Sequence, residues 1–177
     1  PKELWPRDWR VHDIHSPTVM SVWYEKKPRM DTKPVVASTV FGPHADMMCE
    51  ALQALNIPVE KIASEQALLF ELVRKNLYIL TTNIAGLVTG GNVSELWTDH
   101  RTLAIEVAED VLQLQSWLTG EKLDNKALIA AMLQAFEGDP EHGCTGRSAI
   151  SRLQRALQLA NDAGLELHTL RRIQAEQ

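Results

Sequence analysis

A mainly helical chain fronted by a few short strands, α+β overall, is the fold class this sequence predicts, and three observations carry the expectation. From Ser64 to the C-terminus, apolar residues recur at helical spacing in one segment after another. Between Thr18 and Ala63 they come instead as β-branched and aromatic runs. The two regimes meet near Ser64, so the expected organisation is a strand-rich N-terminal segment, 1–63, followed by a helical domain, 64–177. The front part is too small to be a sound domain alone. Its strands and single helix have the make-up of the end of an α/β sheet.

Taken in order, residues 1–16 hold Trp5, Trp9, His12 and His15 with no period and read as an irregular lead-in. The runs TVMSVWYEKK, from Thr18, and PVVASTVFG, from Pro34, are expected to pair as a hairpin or to lie as neighbouring strands. Pro43 suits the first position of a helix, in which Met47, Met48, Ala51, Leu52 and Leu55 point toward a core until Asn56 and Pro58 end it. IPVEKIA reads as a short strand.

Ser64 then caps the longest apolar stretch of the chain. Leu69, Leu72, Val73, Asn76, Leu80, Asn83, Ile84 and Leu87 recur on one helical face, and Gly90-Gly91 stop the helix. A helix this apolar on most sides belongs among other helices. Thr98 or Asp99 can cap a segment to about Leu118, with Leu103, Val107, Val111, Leu114 and Leu118 inward and Gly120 closing it. Asp124 caps a shorter helix through Phe136, and EHGCTGRS forms a polar loop. Ser148 leads into a helix with a stripe of Ile150, Leu153, Leu157 and Ala160, closed by Gly164. Leu167, Leu170 and Ile173 line a last helix.

Composition narrows the function. The 177 residues are 45% hydrophobic, enough for a core. A net charge of −5, with no basic block interleaved with aromatics, argues against a nucleic-acid or anionic-membrane surface. Arg74, Lys75, Asn76 and Asn83 would each be expensive in lipid, so the long helix is expected to be buried in protein rather than to span a membrane. Cys49 and Cys144 form no CxxC pair and read as reduced thiols of a cytoplasmic protein. The start PKELWPRDWR, without Met, reads as a processed chain or a fragment.

No phosphate-cradling, nucleophile-elbow or HExxH motif occurs, and Gly90-Gly91 follow a helix instead of a strand. His12 and His15 sit three apart in an irregular segment with no acidic cluster around them, so no metal site is expected. His142 and Cys144 stand close enough to hold a metal or activate a thiol, although a loop histidine beside a free cysteine is ordinarily just exposed. Lys75 is the sharper candidate. A lysine on a mostly apolar helix loses hydration, which lowers its pKa toward the range where it can give a proton to a developing alkoxide. Asn83, two turns on and about 80° round, can hydrogen-bond a substrate from nearly the same side. The bland alternative has Lys75 snorkelling to water and Asn83 satisfying a neighbouring helix.

The order of elements in PVVASTVFGPHADMMCEALQALNIPVEKIASEQALLFELVRKNLYILTTNIAGLVTGGNVSEL, with GRSAISRLQRALQLANDAGLELHTLRRI after it, resembles the ketopantoate reductase family from Pro34 to the C-terminus. The resemblance implies a helical domain of the 6-phosphogluconate-dehydrogenase C-terminal type, behind strands from a dinucleotide-binding sheet. It implies an NADP-dependent oxidoreductase reducing a 2-keto acid or similar carbonyl, and a homo-oligomer, most simply a dimer.

Aligning Ser94-Glu95-Leu96 on the family's turn puts Lys75 on the catalytic lysine and Asn83 on a substrate-binding Asn. Ser148 and Ser151 are further substrate-orienting candidates. A shifted alignment, matching Phe70-Glu71 to the family's aromatic-acidic pair, puts Asn76 on the first Asn and Leu72 in place of the lysine. In the first alignment Ile79 replaces that Asn and Ala149 replaces the family's substrate-binding Glu. The Gly-rich turn that would hold the pyrophosphate is not among these residues, so no cofactor is expected to bind this chain alone. The alternative is a non-catalytic helical module, kept for dimerisation or partner binding after loss of the site.

Overall fold

The structure, a computed structural model, describes residues 13–26, 29 and 31–177. It is mostly helical with a small amount of sheet, as the periodicity requires. Trp5, Trp9 and His12 of the lead-in lie outside the described residues. The chain divides into two compact units, residues 1–72 and 73–177, and the division falls within its longest helix.

In the first unit the two strand-like runs do fold back on one another, in two short ladders. Strand β1 (Val19–Ser21) pairs antiparallel with β4 (Ser38–Phe41), with Met20 opposite Val40. Strand β2 (Tyr24–Glu25) pairs antiparallel with β3 (Lys33–Pro34). Between the ladders the Trp23 amide donates to Ser38 Oγ at 2.9 Å, and Val35 N–H donates to the Trp23 carbonyl at 2.7 Å. The interruption therefore leaves these backbone groups paired, as burial demands. Helix α1 (Ala45–Ala54) then crosses over to β5 (Val59–Lys61), which lies parallel to β4, giving the sheet order β1-β4-β5. A parallel pair needs such a crossover, since its strand ends lie at opposite edges.

Helix α1 departs from expectation in its rotation. Ala45 and Leu52 are buried and Met48 is half-buried, whereas Met47 is 60% exposed, Leu55 is 67% exposed and Ala51 is exposed. The expected residues span a single arc of about 140° on the helical wheel, and the crossover geometry turns only its Leu52 edge, with Ala45, inward. Pro43 stands before the N-cap, His44, and not inside the first turn. The end of α1 is as expected: Asn56 takes a left-handed φ of 55°, and Ile57 N–H returns to Leu52 O at 2.9 Å.

Helix α2 (Glu65–Thr89) begins where Ser64 Oγ accepts from Ala67 N–H at 3.1 Å, and it ends at Gly90 and Gly91, both at positive φ. In the second unit it is followed by α3 (Val93–Asp99), α4 (Arg101–Thr119), α5 (Asn125–Gly138), α6 (Ala149–Ala163) and α7 (His168–Ala175). Helix α4 packs against α3, α5, α6 and α7, and its buried Val107, Val111, Leu114 and Leu118 are four of the five residues expected inward.

Helix α3 corrects the reading of Ser94-Glu95-Leu96 as a turn. Asn92 Oδ1 accepts from Glu95 N–H while Glu95 Oε2 accepts from Asn92 N–H, a complete capping box that starts a helix at Val93. Neither Thr98 nor Asp99 caps α4; His100 occupies that position. Asp124 caps α5, and Gly120 and Gly164 close α4 and α6 in left-handed conformations, as expected. Ile150 is 52% exposed, leaving Leu153, Ala156, Leu157 and Ala160 as the stripe of α6.

One stabilising contact joins residues far apart in sequence. Asp110, buried on α4, accepts from Leu170 N–H at 3.0 Å in the first turn of α7, so its carboxylate satisfies a donor that α7 leaves open and faces the positive end of that helix. Asp110→Ala should cost about 2 kcal/mol, the scale of an orphaned buried donor and a lost charged hydrogen bond. Urea unfolding of the variant beside wild type checks this.

Candidate functional site

All the site residues singled out in sequence lie in the second unit, and helix α2 supplies three of them. Consecutive residues on a helix point about 100° apart, so Arg74, Lys75 and Asn76 diverge. Arg74 Nε donates to the Ala131 carbonyl of α5 at 3.0 Å, and Asn76 Nδ2 donates to Gln115 Oε1 of α4 at 3.4 Å. Asn76 is thereby engaged in helix packing. Lys75, between them in sequence, takes a third direction and is only partly exposed. Loss of hydration, with a smaller contribution from the neighbouring Arg74 guanidinium, lowers its pKa from 10.5 to about 8.

Further along α2, Asn83 is 8% exposed and meets the start of α6. Arg152 Nη1 donates to Asn83 Oδ1 at 2.9 Å, and a side chain added at Gly146 would lie 3.3 Å from the same oxygen. Asn83 Nδ2 makes a long 3.4 Å contact with Thr82 Oγ1, whose own proton goes back to the Tyr78 carbonyl at 2.8 Å. Ser148 and Ser151 flank Arg152 on the exposed first turn of α6, where Ser151 Oγ donates to the Ser148 carbonyl at 3.0 Å. Asn83 and Arg152 therefore meet at one junction, while Ser148 and Ser151 lie on the exposed start of the helix that carries Arg152. Lys75 stands eight residues back on α2, about 12 Å along the helix axis.

Arg152 is the residue that sequence reasoning missed. It is 69 positions from Asn83, and nothing local marks it.

The loop that precedes α6 is held tightly. Cys144 N–H donates to Gly91 O at 2.9 Å, Val93 N–H to His142 O at 2.9 Å and Ser94 N–H to Pro140 O at 3.1 Å. Gly86 of α2 lies directly under Cys144. His142 stacks obliquely near Tyr78, with ring centroids 5.8 Å apart, and its Nδ1 stands 3.6 Å from Asp139 Oδ2. This corrects the idea of an activated thiol. Cys144 is completely buried, and burial, with Glu95 adding to it, pushes the thiol up to about 11, so little thiolate exists near neutrality. Among the described residues no group of three or more His, Cys, Asp or Glu side chains can hold a metal ion. Among them, too, no helix is long and apolar enough to cross a membrane.

A dinucleotide needs a Gly-rich strand-turn-helix with free amide donors. Among the described residues of the first unit, the one strand-turn-helix, β4 into α1, does not fit. The His44 amide already donates to Thr18 Oγ1 at 3.0 Å, and Gly42, at φ 120°, lies against the Pro17-Thr18 backbone instead of leaving a cradle. What the fold and site define is a mainly helical protein with a small mixed sheet, carrying a lysine of lowered pKa and an Asn–Arg pair on its central helices. No family model matches the chain, and neither a curated protein nor a solved structure shows significant similarity to it.

Proposed function

We propose that this chain is the substrate-binding and dimerisation part of a cytoplasmic NADP-dependent oxidoreductase resembling ketopantoate reductase, acting on a 2-keto acid or a similar carbonyl compound. On this reading the second unit has a fold of the 6-phosphogluconate-dehydrogenase C-terminal type. The observation that carries the proposal is Lys75, whose pKa of about 8 makes it a competent proton donor at neutral pH. Lys75 protonates the oxygen of the carbonyl being reduced, and Asn83, with Ser148 and Ser151, orients the substrate. The residues present do not fit the cofactor's pyrophosphate, so no step is assigned to it.

Isothermal titration calorimetry with small 2-keto acids tests the reading. Saturable binding that weakens at least tenfold in both Lys75→Met and Asn83→Ala supports it. No binding, or binding indifferent to both substitutions, overturns it.

A second reading, a non-catalytic oligomerisation module, is favoured by Ile79, which stands between Lys75 and Asn83 on the helical wheel, and by Asn76 being engaged with Gln115. For such a module light scattering would give a dimer in wild type and in Lys75→Met alike, and a monomeric wild type would count against it.

A further inference from the structure

We infer that Arg152 is the specificity-determining residue of this site and reads the carboxylate of the ligand; the inference rests on the proposed 2-keto acid reading. Arg152 is half-buried in the first turn of α6, and its Nη1 is spent on Asn83 Oδ1. Among the described residues no carboxylate pairs with it, and α6 has no acidic residue in its first turn. A partly desolvated guanidinium near the positive end of a helix is unfavourable without a counter-charge. This guanidinium also keeps four further N–H donors in a planar fork suited to a carboxylate.

The pair has an orientation. Because Arg152 takes the oxygen of the Asn83 amide, Asn83 Nδ2 is left as the donor side, with only its long contact to Thr82 Oγ1. Guanidinium and amide then offer donors alone, a set that favours an anionic, acceptor-rich group over a neutral one.

The test compares a 2-keto acid with its neutral amide by calorimetry. Wild type should prefer the acid by roughly 30-fold, the scale of a charge-assisted hydrogen-bond pair. Arg152→Gln removes the charge and, ending two bonds short of Nη1, also the contact with Asn83 Oδ1, so it should lose that preference by weakening the acid far more than the amide. Arg152→Lys should recover part of it. If Arg152→Gln keeps the full preference while Lys75→Met abolishes binding, this inference falls and the reductase reading stands. If wild type binds neither compound, both fall.

Discussion

Lys75→Met is expected to stabilise the folded chain at neutral pH, by on the order of 2 kcal/mol, while removing the proposed proton donor. Folded, Lys75 titrates at about 8 against an ordinary 10.5. Between those values the unfolded chain binds more protons than the folded one, so stability rises with pH across that window. Below pH 8 the folded chain carries the full cost of a poorly hydrated ammonium; above 10.5 the lysine is neutral in both states and the cost is gone. The difference corresponds to at most roughly 3 kcal/mol, which partial exposure to water reduces. Methionine has a similar shape and no charge, so the advantage of the variant should shrink as pH rises through the window. Urea unfolding at pH 7 and pH 10 measures it. If the proposed reductase reading holds, the same substitution should lower turnover at least 100-fold, the ordinary contribution of a positioned proton donor.

The second large effect is expected at Gly86. Alanine in the middle of a helix is ordinarily better than glycine by about 1 kcal/mol. Here the added carbon would fall onto the Cys144 carbonyl and within 2.7 Å of Cys144 Cβ. Those atoms are anchored by the Cys144–Gly91 hydrogen bond and the Asn92–Gly143 bridge, so the backbone has to move, at a cost of about 3 kcal/mol or somewhat more. The clash outweighs the propensity, and Gly86→Ala should lose about 2 kcal/mol net. It should also open Cys144 to alkylating reagents that do not reach it in wild type. Gly143→Ala, whose added carbon meets nothing within 4 Å, is the control that should leave Cys144 protected. Thermal melting together with counting of alkylated cysteines distinguishes the two variants.

These effects show which part of the molecule was legible from sequence. Helix ends were, because they are local: Ser64 and Asp124 cap with their own side chains, and Gly90, Gly120 and Gly164 adopt the left-handed conformations their positions demand. The capping box Asn92-Val93-Ser94-Glu95 was equally local, but resemblance to a family turn obscured a legible helix start. Faces were harder. In α1, Met47, Met48, Ala51, Leu52 and Leu55 form one stripe about 140° wide, and only packing against the sheet turns the helix so that its Leu52 edge, with Ala45, is the part buried. Ile150 fits the period of α6 but lies at its first turn, where no neighbouring element covers it.

The site was half legible. A lysine on an apolar helix announces its own desolvation, so Lys75 was readable. The partners of Asn83 and of the Leu170 amide were not. Arg152 and Asp110 reach them across 69 and 60 residues, and periodicity says which way a side chain points without saying what it meets. Asn76 illustrates the same limit, since a polar residue on a buried face serves packing or substrate equally well until Gln115 is seen opposite it.

The central claim, that helix α2 holds a lysine tuned for proton transfer, is open to direct measurement. Lysine side chains labelled with ¹³C at Cε and followed by NMR across pH 6 to 11 should show one resonance titrating near pH 8. That resonance should be missing from Lys75→Met, and the remaining lysines should titrate near their ordinary value. If every lysine, Lys75 included, titrates near 10.5, the account is contradicted.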